Sequence, residues 1–141
     1  MRYYALDVLA CPYCHAFPLK LVVLEERRSP MKYPWPSKPF CDYVCAFRGV
    51  EVAKCESCEC EECLSREVVS GVLVCPKCGR WFAVVEGVPQ LLPDEARDFD
   101  AERALLSRFR EKLERLDPEV ARRVFGEASH VGGTGQAPGR V

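Results

Sequence analysis

The sequence predicts an α+β fold, in which a small cysteine-clipped sheet domain is interrupted by an insertion and followed by a C-terminal helix. Three observations predict it. Two knuckles of one design, Cys11-Pro12-Tyr13-Cys14 and Cys75-Pro76-Lys77-Cys78, stand with sixty residues between them. Runs rich in Val and Leu, punctuated by glycine-bearing turns, lie beside both knuckles and read as about four strands. Beyond residue 94, apolar residues recur at spacings of three and four, the signature of an amphipathic helix.

Residues 3–10 read as a short helix or turn, with Leu6 and Leu9 as its apolar contacts. Leu19 to Leu24 is the first strand. Residues 25–65 change character: Glu25-Glu26-Arg27-Arg28, then Pro30, Pro34, Pro36 and Pro39, then six cysteines among glutamates. So polar an insertion needs cross-links or metal to hold a shape, and its proline stretch reads as a stiff connector. Glu67–Val69 and Val72–Val74 form a hairpin around Ser70-Gly71. Trp81–Val85 and Val88–Leu92 form another around Glu86-Gly87. Pro89 cannot donate to a ladder, which makes the last strand an edge. A helix is expected from Asp94 to about Leu116, with Leu106, Phe109, Leu113, Leu116 and Val120 as its stripe. Asp117-Pro118 caps and starts a second short helix that Gly126 ends. The expected organisation is a discontinuous domain of residues 1–24 and 66–93, a cysteine-rich insert at 25–65, a helical segment at 94–126 and a disordered tail at 127–141.

Cys11, Cys14, Cys75 and Cys78 together make a four-thiolate set of structural zinc type, and the domain is zinc-ribbon-like. Proline after each first cysteine presets φ for a turn whose backbone N–H groups point at sulfur. Sulfur fills all four positions, so no water is left for catalysis at the metal. Lys77 and Arg80 are near enough in sequence to offset the formal charge. The same residues admit rivals. Cys11 to His15 spells a c-type haem attachment motif, paired knuckles occur on iron in rubredoxin, and disulfides are a third reading. Neither His15 nor His130 belongs to a catalytic constellation.

In the insertion, Cys41 and Cys45 precede Cys55, Cys58, Cys60 and Cys63. Pairing Cys41/Cys45 with Cys60/Cys63 leaves fourteen residues between the halves, within the usual spacing of zinc half-sites; pairing with Cys55/Cys58 leaves nine. The first set is favoured for a second zinc, with Cys55 and Cys58 spare as a reversible disulfide. A loop carrying only disulfides is the plain alternative.

A net charge of −1 offers no bulk attraction to nucleic acid or an anionic membrane. Asp7 interrupts any signal-peptide core, no apolar run is long enough to span a bilayer, and the chain is expected to be cytoplasmic. It has no Asn and only two Gln, a depletion that leans towards a thermophile. Trp81–Val85 and Val72–Val74 lack polar alternation, so they expect cover on both faces. Either the insertion and C-terminal helix provide that cover, or another protein does.

The stretches Leu6-Asp7-Val8-Leu9-Ala10-Cys11-Pro12-Tyr13-Cys14, Gly71-Val72-Leu73-Val74-Cys75-Pro76-Lys77-Cys78-Gly79-Arg80-Trp81-Phe82 and Gly87-Val88-Pro89-Gln90-Leu91-Leu92 resemble the zinc-binding methyltransferase-activator subunits. The resemblance covers residues 1–24 and 66–93. It implies a short helix on a four-stranded antiparallel sheet. It also implies a non-catalytic partner of S-adenosylmethionine-dependent methyltransferases that act on tRNA, rRNA or release factors, binding as a heterodimer. The six-cysteine insertion departs from the helical eukaryotic insert, which fits an archaeal member. Docking through the sheet margin would use Val84, Gly87, Val88, Pro89, Gln90, Leu91 and Leu92. The competing functions are a zinc-ribbon nucleic-acid-binding protein, for which fourteen Arg against six Lys would suit phosphate contacts, and a thiol redox protein using Cys55 and Cys58.

Overall fold

The computed structural model describes residues 1–32, 39–56 and 58–126. A 3-10 turn at Tyr3–Asp7 leads to β1 (Lys20–Arg28). The insertion contributes β2 (Val44–Cys45), β3 (Val50–Glu51) and α1 (Cys60–Leu64). Then come β4 (Arg66–Val74), β5 (Trp81–Val85) and β6 (Val88–Pro89). The chain closes with α2 (Phe99–Leu106), α3 (Arg110–Leu116) and α4 (Pro118–Phe125). The main sheet is antiparallel with four strands in the order β1-β4-β5-β6, and β2 and β3 form a separate pair. The fold is α+β, as expected. The stiff connector and the tail fall wholly or mostly at residues 33–38 and 127–141, outside the described residues.

Side chains alternate across the sheet, and both faces are apolar because both are covered. Val22 and Leu24 of β1, Val72 and Val74 of β4, and Trp81 and Ala83 of β5 meet Leu106, Leu113, Val120, Ala121 and Val124 of the C-terminal helices. Leu73, Phe82 and Val84 point the other way, onto Tyr3, Leu6, Cys11 and Leu19, with Val44 and Phe47 of the insertion at the rim. The cover is therefore supplied within the chain. This accounts for strands that carry no polar alternation even though the sheet is antiparallel.

Expectations about β4, β1 and the C-terminal helix need correction. Ser70-Gly71 is not a hairpin turn: β4 runs through it unbroken, paired along its length with β1. Gly71 is there for close approach, since a Cβ would stand 2.7 Å from the Val22 carbonyl oxygen. The β1–β4 register shifts on both sides of Glu25, and Val68 accordingly faces the cluster of Leu73 rather than that of Val72 and Val74. Secondly, β1 does not stop at Leu24 but extends through the charged run to Arg28. Arg27 ion-pairs with Glu67, its partner in the register, and Arg66 reaches Glu26. Thirdly, the helix expected from Asp94 to Leu116 is broken. Asp98 is extended and caps α2 by accepting the Ala101 N–H at 3.0 Å. Residues Ser107–Phe109 tighten into a 3-10 turn, and Leu116 ends 55% exposed, off the stripe. Asp117 does cap α4, accepting the Val120 N–H at 3.1 Å, and Gly126 follows its last turn with a φ of 74°.

The Glu86-Gly87 turn has positive φ at both residues, 49° and 81°, the signature of a two-residue primed hairpin turn. It delivers β6 to the sheet margin, where regular pairing covers Val88 and Pro89 rather than all of Val88–Leu92. One more bond, from the Gln90 N–H to the Ala83 carbonyl at 2.8 Å, extends the contact.

Candidate metal centre

The first knuckle lies between the 3-10 turn and β1, and the second joins β4 to β5. Folding the sheet brings the two together, so that the Sγ atoms of Cys11, Cys14, Cys75 and Cys78 all lie within 4.8 Å of one another. Across the knuckles, Cys11 Sγ is 3.7 Å from Cys78 Sγ, and Cys14 Sγ is 3.3 Å from Cys75 Sγ. Backbone donors aim at the sulfurs. Tyr13 N–H reaches Cys11 Sγ at 3.4 Å, while the Lys77 and Cys78 N–H groups reach Cys75 Sγ at 3.4 and 3.3 Å. These donors stabilise thiolate, whereas burial works against it and pushes the Cys11 thiol up to about 11.

Of the two cations expected nearby, Arg80 takes up the role. Its guanidinium lies over the Tyr13 ring at 3.6 Å, approaches Cys78 Sγ at 4.0 Å and pairs with Asp94 at 3.7 Å. Arg123 of α4 donates to the Gly79 carbonyl at 2.8 Å, so the C-terminal helices also brace the second knuckle. Four convergent sulfurs with N–H support fit a tetrahedral thiophilic ion such as zinc, and fit a hard cation poorly.

The insertion is tied to the sheet domain by Asp7, whose carboxylate accepts the backbone N–H groups of Asp42, Tyr43 and Val44 at 2.8, 2.7 and 2.9 Å. Nothing in the sequence near Asp7 points to this role, because its three donors lie more than thirty residues away. Among the expected second set, Cys41, Cys45, Cys60 and Cys63 line one pocket together with Cys58, Tyr3 and Phe47. Burial, with Asp7 and the neighbouring cysteines, pushes Cys41 up to about 12, and burial with the other three cysteines does the same to Cys63. The tight group is different, however: Cys45, Cys55 and Cys58 have Sγ atoms within 4.8 Å of one another, and Cys55 and Cys58 are joined as a disulfide.

The margin residues divide by exposure. Val84 is fully buried and faces inward, so its side chain is not available to a partner. Leu91 is half-buried against the same cluster. Val88 and Leu92 are exposed, at 55% and 40%. Pro89 pairs with Val84, and Gly87 donates its N–H to the Val69 carbonyl at 2.9 Å.

Sequence reasoning also missed a buried ion pair. In the sequence Arg97 and Glu102 stand among the alternating charges of 97–123 and look like their neighbours. Instead, the Arg97 guanidinium donates to Glu102 at 2.6 Å and to the Trp81 carbonyl at 2.9 Å, with its side chain only 1% exposed.

A family model described as Trm112p-like protein matches residues 2–87, which spans both knuckles and the insertion. No curated protein matches the chain.

Proposed function

Because the chain belongs to the Trm112p-like family, the small methyltransferase-activator family, we propose that it is a non-catalytic partner subunit. It stabilises and activates S-adenosylmethionine-dependent methyltransferases that modify tRNA, rRNA or translation factors. The observation that carries this reading is the β6 margin. There, Val88 within the strand and Leu92 just beyond it are exposed, and the outer edge of β6 pairs with no strand among the described residues, while both sheet faces are buried within the chain. A free strand edge with flanking apolar side chains suits addition to another protein's sheet. The opposite margin is less suited. Beside β1, Lys112 caps the Leu24 carbonyl at 2.9 Å, and Arg108 and Asp117 pair with Glu25 and Lys20.

Cys11, Cys14, Cys75 and Cys78 would hold zinc as a cross-link between the N-terminal segment and the β4–β5 hairpin. The ion supplies stability there and no chemistry. The methyl donor and the substrate belong to the partner. Direct nucleic-acid binding finds less support, since Arg103, Arg110, Arg122 and Arg123 sit within ion-pair distance of Asp100, Glu114 and Glu119. Affinity capture of the full chain from its native source, read for co-purifying S-adenosylmethionine-dependent methyltransferases, tests the proposal. Recovery of one or more in stoichiometric amount is expected; recovery of none, with the chain intact and metal-loaded, would refute it.

A further inference from the structure

Three turns of this chain share one backbone. In each knuckle of the first cluster, the residue four after the leading cysteine donates its N–H to that cysteine's carbonyl. His15 does so to Cys11 at 2.9 Å and Gly79 to Cys75 at 3.0 Å, with positive φ of 65° and 82°. The leading cysteine's own N–H bonds the carbonyl five residues on, Ala16 at 3.0 Å and Arg80 at 2.9 Å. The insertion repeats the pattern. Gly49 donates to the Cys45 carbonyl at 2.7 Å with a φ of 73°, and Cys45 pairs antiparallel with Val50, five residues on. A Cβ at Gly49 would meet nothing within 4 Å, so glycine answers there to the dihedral and not to crowding.

The third turn presents Cys45 as the first two present Cys11 and Cys75. Its fourth position holds Arg48 where the others hold Cys14 and Cys78. It therefore supplies one sulfur, and the remaining ligands must come from elsewhere in the insertion. Two are already beside it, since the Sγ atoms of Cys55 and Cys58 lie within 4.8 Å of Cys45 Sγ.

We propose that the insertion binds a thiophilic divalent ion, zinc by ligand type, on Cys45, Cys55 and Cys58, and that the Cys55–Cys58 disulfide is the metal-free oxidised form of this site. Cys41, Cys60 and Cys63 line the adjoining pocket with Cys45 and Cys58, and one of them completes the four sulfurs. Metal and disulfide exclude each other because the ligand is thiolate. A dithiol reductant passes two electrons and two protons to the Cys55–Cys58 bond and itself becomes a disulfide. The two thiols so formed release their protons to solvent as the ion binds. In the reverse direction, a small-molecule disulfide takes the two electrons from the protein thiolates and two protons from solvent, is reduced to two thiols, and the ion leaves as the protein sulfurs rejoin. The inference is independent of the methyltransferase reading, because it concerns only the insertion's own sulfurs.

The test is metal content of the full chain by elemental analysis, with cobalt substitution read by its thiolate-to-metal absorption. Dithiothreitol-reduced protein loaded under anaerobic conditions should hold two ions per chain. Protein oxidised with glutathione disulfide should hold one, with Cys55–Cys58 recovered as a disulfide by peptide mapping. A Cys55→Ser/Cys58→Ser double variant should hold one ion even when reduced, and keep both the cooperative unfolding of the sheet domain and the four-sulfur cobalt spectrum of the first cluster. One ion in the reduced wild type would overturn the proposal, as would two in the oxidised form. Two ions in the double variant would overturn it as well, by moving the site to Cys41, Cys45, Cys60 and Cys63.

Discussion

Cys75 shows how much one side chain can carry. It is buried, it accepts two backbone N–H groups, and it sits where β4 hands over to the second knuckle. Cys75→Ser removes one of four thiolates from a type of site whose structural zinc contributes roughly 10–16 kcal/mol. The variant should lose its first metal and the cooperative melt of the sheet domain, read by elemental analysis and calorimetry. Arg97 carries weight of another kind. Glu102→Ala would leave its guanidinium buried and unpaired, a loss of about 3–5 kcal/mol by denaturant unfolding. Asp117 adds a pH term. Lys20 first, then the Val120 N–H, hold its carboxyl below the usual range. Its contribution is therefore complete above the unfolded carboxyl value of about 3.9 and is lost as pH falls through the lower folded value. Asp117→Asn should keep the cap and flatten that acid limb, whereas Asp117→Ala should also lose about 1 kcal/mol at neutral pH. The two Cys-Pro-x-Cys knuckles and the Asp117 cap stood out in the sequence because each is a short-range pattern of a few residues. Asp7 and the Arg97–Glu102 pair did not. The donors to Asp7 are brought in by tertiary folding, and nothing local tells a buried arginine from its solvated neighbours.

At the scale of elements, the hairpin around Glu86-Gly87 was legible because its turn chemistry and its structure agree. Ser70-Gly71 offers a similar dipeptide but lies inside β4, where glycine serves contact with Val22 rather than a reversal. Gly71→Ala should accordingly destabilise by about 1–3 kcal/mol through overpacking, measured by thermal unfolding. At a true turn the same change would act through the dihedral. The C-terminal stripe predicted the buried positions Leu106, Leu113 and Val120 correctly and failed at Leu116, because the chain leaves helical geometry at Asp117. Periodicity reports a face only while one helix axis persists.

Over the whole molecule, the sheet is sealed on one side by the N-terminal turn with part of the insertion, and on the other by α2–α4. The helices on that second face lie beyond the family-matched residues 2–87, yet they bury the apolar side of β1, β4 and β5 and brace the second knuckle through Arg123. Whether cover came from within or from a partner could not be decided from apolar strands alone, since either arrangement satisfies them. With both faces occupied, the proposed docking site is the β6 margin. Co-expression with S-adenosylmethionine-dependent methyltransferases from the same source, scored for partner solubility and methyl transfer, tests that assignment most directly. Wild-type chain should bring at least one methyltransferase into solution with activity, and a Val88→Asp/Leu92→Asp variant, folded and metal-loaded, should lose that effect. If no methyltransferase gains solubility or activity from the wild type, the activator account is contradicted; if the double variant supports the partner as well as wild type does, the β6 margin is not the interface.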